Sequence, residues 1–244
     1  MGAAWSIVKL DVRGILRDQV AMATVLLSLM GTLIIAGVGA WPGRPEAWAR
    51  WFPVIVAVSL VGGPAGFGFL FGLLMVDEGD TGVRRALAVT PVRPEIFLLV
   101  RTVVATAWMV VWPLASVYLM NWTWRALELP FLHWLWVVMP LALFTPAFTL
   151  VIPSVADDKV GALAVFKALS FLSLMPLALF FVPSGAWYRR LLLISPTGWI
   201  VEAYRAFLDA VPSAGRLWAL GGALYAAVLL ATVVILFTRK VYRL

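Results

Sequence analysis

Asp77-Glu-Gly-Asp-Thr-Gly-Val-Arg-Arg-Ala-Leu-Ala-Val-Thr-Pro-Val-Arg-Pro94 is a charged island between two long apolar runs. Upstream, Trp51 to Val76 carries no charged residue, and downstream no charge falls between Arg101 and Arg125. A helical crossing of a bilayer core needs roughly 20 apolar residues, so the island reads as a water-facing connection between two spans. Its internal order is that of a short surface helix. Asp77, Glu78 and Asp80 suit the positive end of a helix dipole, and Arg84 and Arg85 follow one turn later. Thr90-Pro91 and Arg93-Pro94 then stop it, because a residue before proline is pushed out of helical geometry.

The rest of the chain agrees with a membrane setting. Hydrophobic residues make up 63% of the 244 residues and charged ones 13%, and the mean hydropathy is +0.98, which excludes an ordinary soluble domain. The expected fold is one all-α integral membrane domain over residues 1–244, with six spans at about 20–40, 52–76, 97–121, 134–156, 160–182 and 217–238. There is no cysteine, so neither a disulfide framework nor a thiolate metal site is available. The net charge of +7 comes from short basic clusters flanking apolar runs, which speaks for orientation rather than for nucleic acid.

Residues 3–18 place Ser6, Lys9, Arg13 and Arg17 on one helical face and Trp5, Val8, Val12 and Ile15 on another. This suits an amphipathic helix in the headgroup region, or a basic flank that only orients the first span. With both termini cytoplasmic, twelve Lys and Arg residues fall inside and seven outside, as the positive-inside rule favours. Tryptophan supports the same parity: Trp41, Trp48, Trp51, Trp122, Trp124, Trp134, Trp136, Trp187, Trp199 and Trp218 all fall at the outer ends of these spans or in outer loops. The expected location is therefore the inner (plasma) membrane.

Within the spans, Gly62/Gly66 and Gly68/Gly72 have the four-residue spacing that lets another helix approach closely. A phosphate-binding glycine loop is the other reading, but no Gly-x4-Gly-Lys-Ser/Thr occurs. Pro140, Pro146, Pro153 and Pro176 predict bent spans. Ala156-Asp157-Asp158-Lys159 makes a short inner turn, either solvated or facing a basic partner. Lys167 is the one formal charge well inside a span; it lines a substrate pathway or snorkels to the interface. Residues 183–216 are too long for a loop and too polar for a span. There Ser195 reads as a helix cap with Pro196 at the first helical position, and Glu202/Arg205 and Arg205/Asp209 are favourable pairs. These suggest external re-entrant helices between the fifth and sixth spans.

Taken together, the pattern resembles the permease subunits of type-2 ABC exporters. Asp77-Glu78-Gly79, Thr81-Gly82, Leu87 and Thr90-Pro91 look like that family's segment after its second span, and Ser195-Pro196-Thr197 with Glu202 and Arg205 is similar to its motif before the last span. The segment Ala88-Val89-Thr90-Pro91-Val92 is closest to permeases resembling fluoroquinolone exporters. The resemblance implies a catalytically silent chain with no cofactor of its own. It implies a second permease, identical or homologous, and a separate cytoplasmic dimer of ABC ATPase subunits that binds ATP and Mg. Residues Asp77, Glu78, Gly79, Asp80, Thr81, Gly82, Arg84, Arg85, Leu87, Thr90 and Pro91 would couple to that ATPase through a coupling helix near residues 80–88.

Other classes fit the residues less well. An intramembrane hydrolase needs an activated nucleophile or converging metal ligands, yet the one histidine, His133, sits at a span end and no carboxylate lies inside any span. A proton-coupled secondary transporter would want a titratable carboxylate near the midplane. A structural membrane subunit makes no such demand and stays open as an alternative.

Overall fold

A computed structural model describes residues 9, 13, 17, 19–43, 45–80 and 94–241, and all regular structure among them is helical. The α-helices are α1 (Gln19–Ala40), α2 (Phe52–Asp80), α3 (Pro94–Trp124), α4 (Phe131–Val155), α5 (Lys159–Leu174), α6 (Pro196–Leu208) and α7 (Pro212–Val241). Three 3-10 helices, Glu46–Trp51, Met175–Phe180 and Trp187–Ile194, join them. Proline marks the starts. Pro196 and Pro212 open their helices and Pro130 precedes α4, because a first-turn proline lacks only an amide that has no helical acceptor anyway.

Among the described residues five stretches are long and apolar enough to cross a membrane: Glu46–Glu78, Thr102–Trp124, Phe131–Val155, Lys159–Phe180 and Pro212–Lys240. In α1 the apolar part that qualifies among the described residues is the shorter Leu29–Ala40. The stretch Lys159–Phe180 changes geometry at its proline: α5 stops at Leu174 and continues as the 3-10 helix carrying Pro176. The last helix begins at Pro212, five residues before the sequence-based boundary, since the tight turn at Ala210 (φ 56°) hands the chain straight on to it. At the end of α3, Arg125 takes a left-handed conformation (φ 49°). Asn121 clamps the turn that follows, donating from Nδ2 to the Leu127 carbonyl at 2.7 Å and accepting the Leu127 amide at 3.0 Å.

Helix α4 is the centre of the bundle, packed on α7, α2 and α3, while α1 lies on α3 and α5 lies on α2. Near the start of α2, Phe52, Leu60, Met120, Trp124, Trp134, Leu141, Tyr204 and Phe207 form one buried cluster; near its other end, Phe69, Leu73, Phe144, Phe148 and Ile152 form a second. Close approach of α2 to α4 rests on Gly68 and Gly72. A Cβ on Gly68 would stand 2.8 Å from the Phe148 ring, and one on Gly72 would stand 2.9 Å from the Thr149 carbonyl. That carbonyl is the one Pro153 leaves without its helical amide partner. Gly62, one of the other two glycines expected to serve packing, has open space beside it.

Candidate functional site

The charged residues gather at the two ends of the bundle, named here by Asp77 and Trp51. At the Asp77 end the helix does not restart where the acidic residues begin. Residues 52–80 are one 29-residue helix, about 43 Å long at 1.5 Å per residue, so it outlasts a ~30 Å hydrocarbon core. Asp77, Glu78, Gly79 and Asp80 continue α2 as its last described residues. Asp77 meets Lys159 of α5 at 2.7 Å. The turn 156–158 is likewise engaged from within. Asp157 pairs with Lys240 of α7 at 2.6 Å, and this hydrogen bond and charge hold its carboxyl below the usual range. Lys240 Nζ also donates to the Ala156 carbonyl at 3.2 Å. Asp158 caps α5, accepting the Gly161 amide at 2.6 Å. The turn is solvated, as one of the two sequence readings had it, and its two carboxylates are at the same time engaged within the chain. Thr81, Gly82, Arg84, Arg85, Leu87, Thr90 and Pro91 lie outside the described residues. So does most of the expected amphipathic amino-terminal helix, of which Lys9, Arg13 and Arg17 are helical and exposed.

At the Trp51 end, α6 lies across the bundle against α7 and α4. Ser195 stands at its N-cap, but its hydroxyl does not cap. It pairs with the Thr197 hydroxyl at 2.7 Å, while Thr197 donates to the Ser173 carbonyl at 2.7 Å. The carbonyls ending the 3-10 helix Trp187–Ile194 are satisfied from α6 and α7: Trp199 Nε1 donates to Leu193 at 2.9 Å and the Tyr225 hydroxyl to Ile194 at 2.7 Å. Gly198 permits this, since a Cβ there would collide with the Leu192 carbonyl.

Glu202 is buried, and its nearest cation is one that local spacing did not indicate. Arg189 Nη2 lies 2.5 Å from Oε1 and 2.6 Å from Oε2, and Arg189 Nη1 donates to the Val182 carbonyl at 3.1 Å. Arg205, the partner expected from three-residue spacing, stays 3.9 Å away. Burial, with the Arg189 charge second, holds the Arg205 guanidinium below its ordinary value. The pairing of residues 189 and 202 crosses from a 3-10 helix to an α-helix through a tight turn. No periodicity would have shown it; the available signal was two arginines facing one glutamate in an apolar segment.

Lys167 is exposed on α5 and stands apart from an apolar groove. That groove, about 660 Å³, runs between α3, α4 and α7 past Val103, Thr106, Pro146 and Leu230, and no charged residue lines it. A charged cleft opens at the Trp51 end. Among the described residues no group of His, Asp and Glu is placed to hold a metal ion.

The family model described as "Fluoroquinolones export permease protein Rv2686c-like" matches residues 11–235, and among curated proteins none matches the chain. The match spans the apolar helices, the charged segment between α2 and α3, and the crossed helix α6. This all-helical, multi-pass membrane chain belongs to the Rv2686c-like fluoroquinolones export permease family.

Proposed function

We propose that this chain is the transmembrane subunit of an ATP-driven exporter, in which two permeases form the pathway and a separate cytoplasmic ABC ATPase supplies the work. The carrying observation is the ion-paired Asp77 end. Asp77 ties the end of α2 to α5, and Asp157 with Lys240 ties the following turn to α7. A push on the segment that follows Asp80 therefore reaches three helices together, which is what a rigid-body transition needs. The family description points to fluoroquinolones as the exported class, and the uncharged groove between α3, α4 and α7 suits the apolar body of such compounds.

In this reading the Asp77 end is cytoplasmic, α1 is a sixth span, and the segment 77–91 seats in a groove of the ATPase. Single cysteines are simple to introduce into a cysteine-free chain. A cysteine replacing Ser213 reacts with an impermeant reagent added outside and one replacing Thr81 does not; the reverse pattern overturns the orientation. Glu78→Ala, Arg85→Ala and Leu87→Asp should each weaken co-elution with the ATPase and slow transport while the permease stays inserted and monodisperse. Truncating one partner of a desolvated charge pair at an interface costs about 2–5 kcal/mol. Leu87→Asp should be worst, because it buries a new charge. Full activity in all three would sink the coupling role.

A further inference from the structure

The cleft at the Trp51 end, about 760 Å³, is a charged niche in an apolar surface. Arg50 from the 3-10 helix Glu46–Trp51 and Arg205 from α6 line it with Asp209, the one carboxylate, and Trp51, Phe180 and Phe181 wall it. The Trp51 and Phe181 rings stand 6.0 Å apart, Arg50 lies 5.5 Å from the Trp51 centroid, and Arg205 lies 5.7 Å from that of Phe180.

Charge around Arg205 is not balanced. Glu202 accepts two short contacts from Arg189 and is spoken for. At 3.9 Å, Arg205 Nη1 is beyond hydrogen-bonding distance of Glu202, and it is buried with no hydrogen-bond partner among the described residues. A buried donor atom left without a hydrogen bond is costly, and a guanidinium fork is matched by a carboxylate or a phosphate. Two positive side chains against one negative leave the cleft net positive. Flat aromatic walls beside them receive a flat or apolar body.

We propose that this cleft is a binding site for an anionic group, carboxylate or phosphate, carried on an aromatic or apolar body. The Arg205 and Arg50 guanidinium groups hold the anion, and Trp51, Phe180 and Phe181 hold the body. The anion comes from one of two sources, an exported aromatic acid or the headgroup of a membrane lipid. The export reading enters only in the choice of probe, because binding is measured without ATPase or transport.

The test is equilibrium dialysis of a 4-quinolone-3-carboxylate and its decarboxylated analogue against the full chain in nanodiscs of phosphatidylcholine. The acid should bind about tenfold tighter than its analogue, as expected for charge-assisted hydrogen bonds. Arg205→Gln should abolish that margin and Arg50→Gln should reduce it. Arg50 is exposed on a short helix, so its variant serves if Arg205→Gln does not fold. Equal binding of acid and analogue to the unaltered chain overturns the proposal, as does a margin that survives Arg50→Gln and any folded Arg205→Gln. Repeating the dialysis with phosphatidylglycerol in the nanodisc separates the sources: loss of the margin identifies the lipid headgroup as occupant, and its persistence identifies the aromatic acid. Equal binding of acid and analogue rejects this site alone and leaves the export function standing, because no transport is measured.

Discussion

Glu202 is the one buried charged side chain among the described residues, and its ion pair with Arg189 joins the segment before α6 to α6 itself. Removing one member of a buried pair leaves the other charged and desolvated, which typically costs about 3–5 kcal/mol, whereas replacing both by apolar groups is often neutral. Glu202→Ala should therefore lower the thermal midpoint in detergent sharply, and Arg189→Met combined with Glu202→Leu should recover much of the loss. A double variant as unstable as the single one would show that the two residues do not act as a unit. Tyr204 gives the opposite case. Its ring is packed between Trp134 and Phe180, and its hydroxyl is buried without a hydrogen-bond partner among the described residues. Tyr204→Phe removes an unsatisfied group and should stabilise the protein by about 1 kcal/mol, read as a higher midpoint in the same assay.

Among elements, the meeting of α2 with α4 shows why some contacts were legible in the sequence and others were not. Lipid tails are as apolar as leucine, so helices in a membrane associate through close packing rather than water exclusion. Glycines four apart announce such packing, and Gly68/Gly72 answered that expectation while Gly62 did not. Spacing shows that one face of a helix is smooth; it does not show which neighbour lies on that face. Long-range ion pairs were harder still. Asp157 and Lys240 are distant in sequence, and their pairing follows from α4 and α7 lying side by side. The acidic run at 77–80 was read as a helix start because its charges suit one; among the described residues α2 continues through it, with Asp77 against Lys159. Gly72→Ala should lower resistance to unfolding in dodecyl sulfate, since overpacking a tight contact costs about 1–3 kcal/mol. Gly62→Ala should be neutral or slightly stabilising, since alanine favours a helix over glycine by up to about 1 kcal/mol. Equal effects of the two would mean that the α2–α4 contact is looser than the glycine geometry requires.

For the whole molecule, the helix that is least enclosed by its own chain is informative. Of the residues in α5 only Ala162 and Ser173 are buried. Val160, Leu163, Ala164, Lys167, Ala168 and Phe171 are all exposed along its outer side. A lysine on a wholly lipid-facing stripe carries a penalty, and Ala164 with Ala168 repeats the small-residue spacing that lets helices meet closely. In the proposed dimer both features suit α5 as the seat of the second permease, and Lys167 would then stand at the junction of the two subunits. In a chain without cysteine, Ala168→Cys should give an oxidant-dependent dimer in membranes. Leu224→Cys, on the exposed side of α7, should remain monomeric under the same oxidation. Ala168→Trp should weaken association by filling the seam, with insertion unchanged. Lys167→Met should alter transport without lowering the yield of folded permease, because no ion pair inside the chain is lost. If Leu224→Cys cross-links as readily as Ala168→Cys, the contact is random collision; if Lys167→Met transports normally, the lysine only reaches toward the headgroups. A seam at α5 would also give the Asp77–Lys159 contact a second purpose. The helix tied to the end of α2 would be the one that touches the other permease, so a push on the segment after Asp80 would reach the line along which the two subunits part.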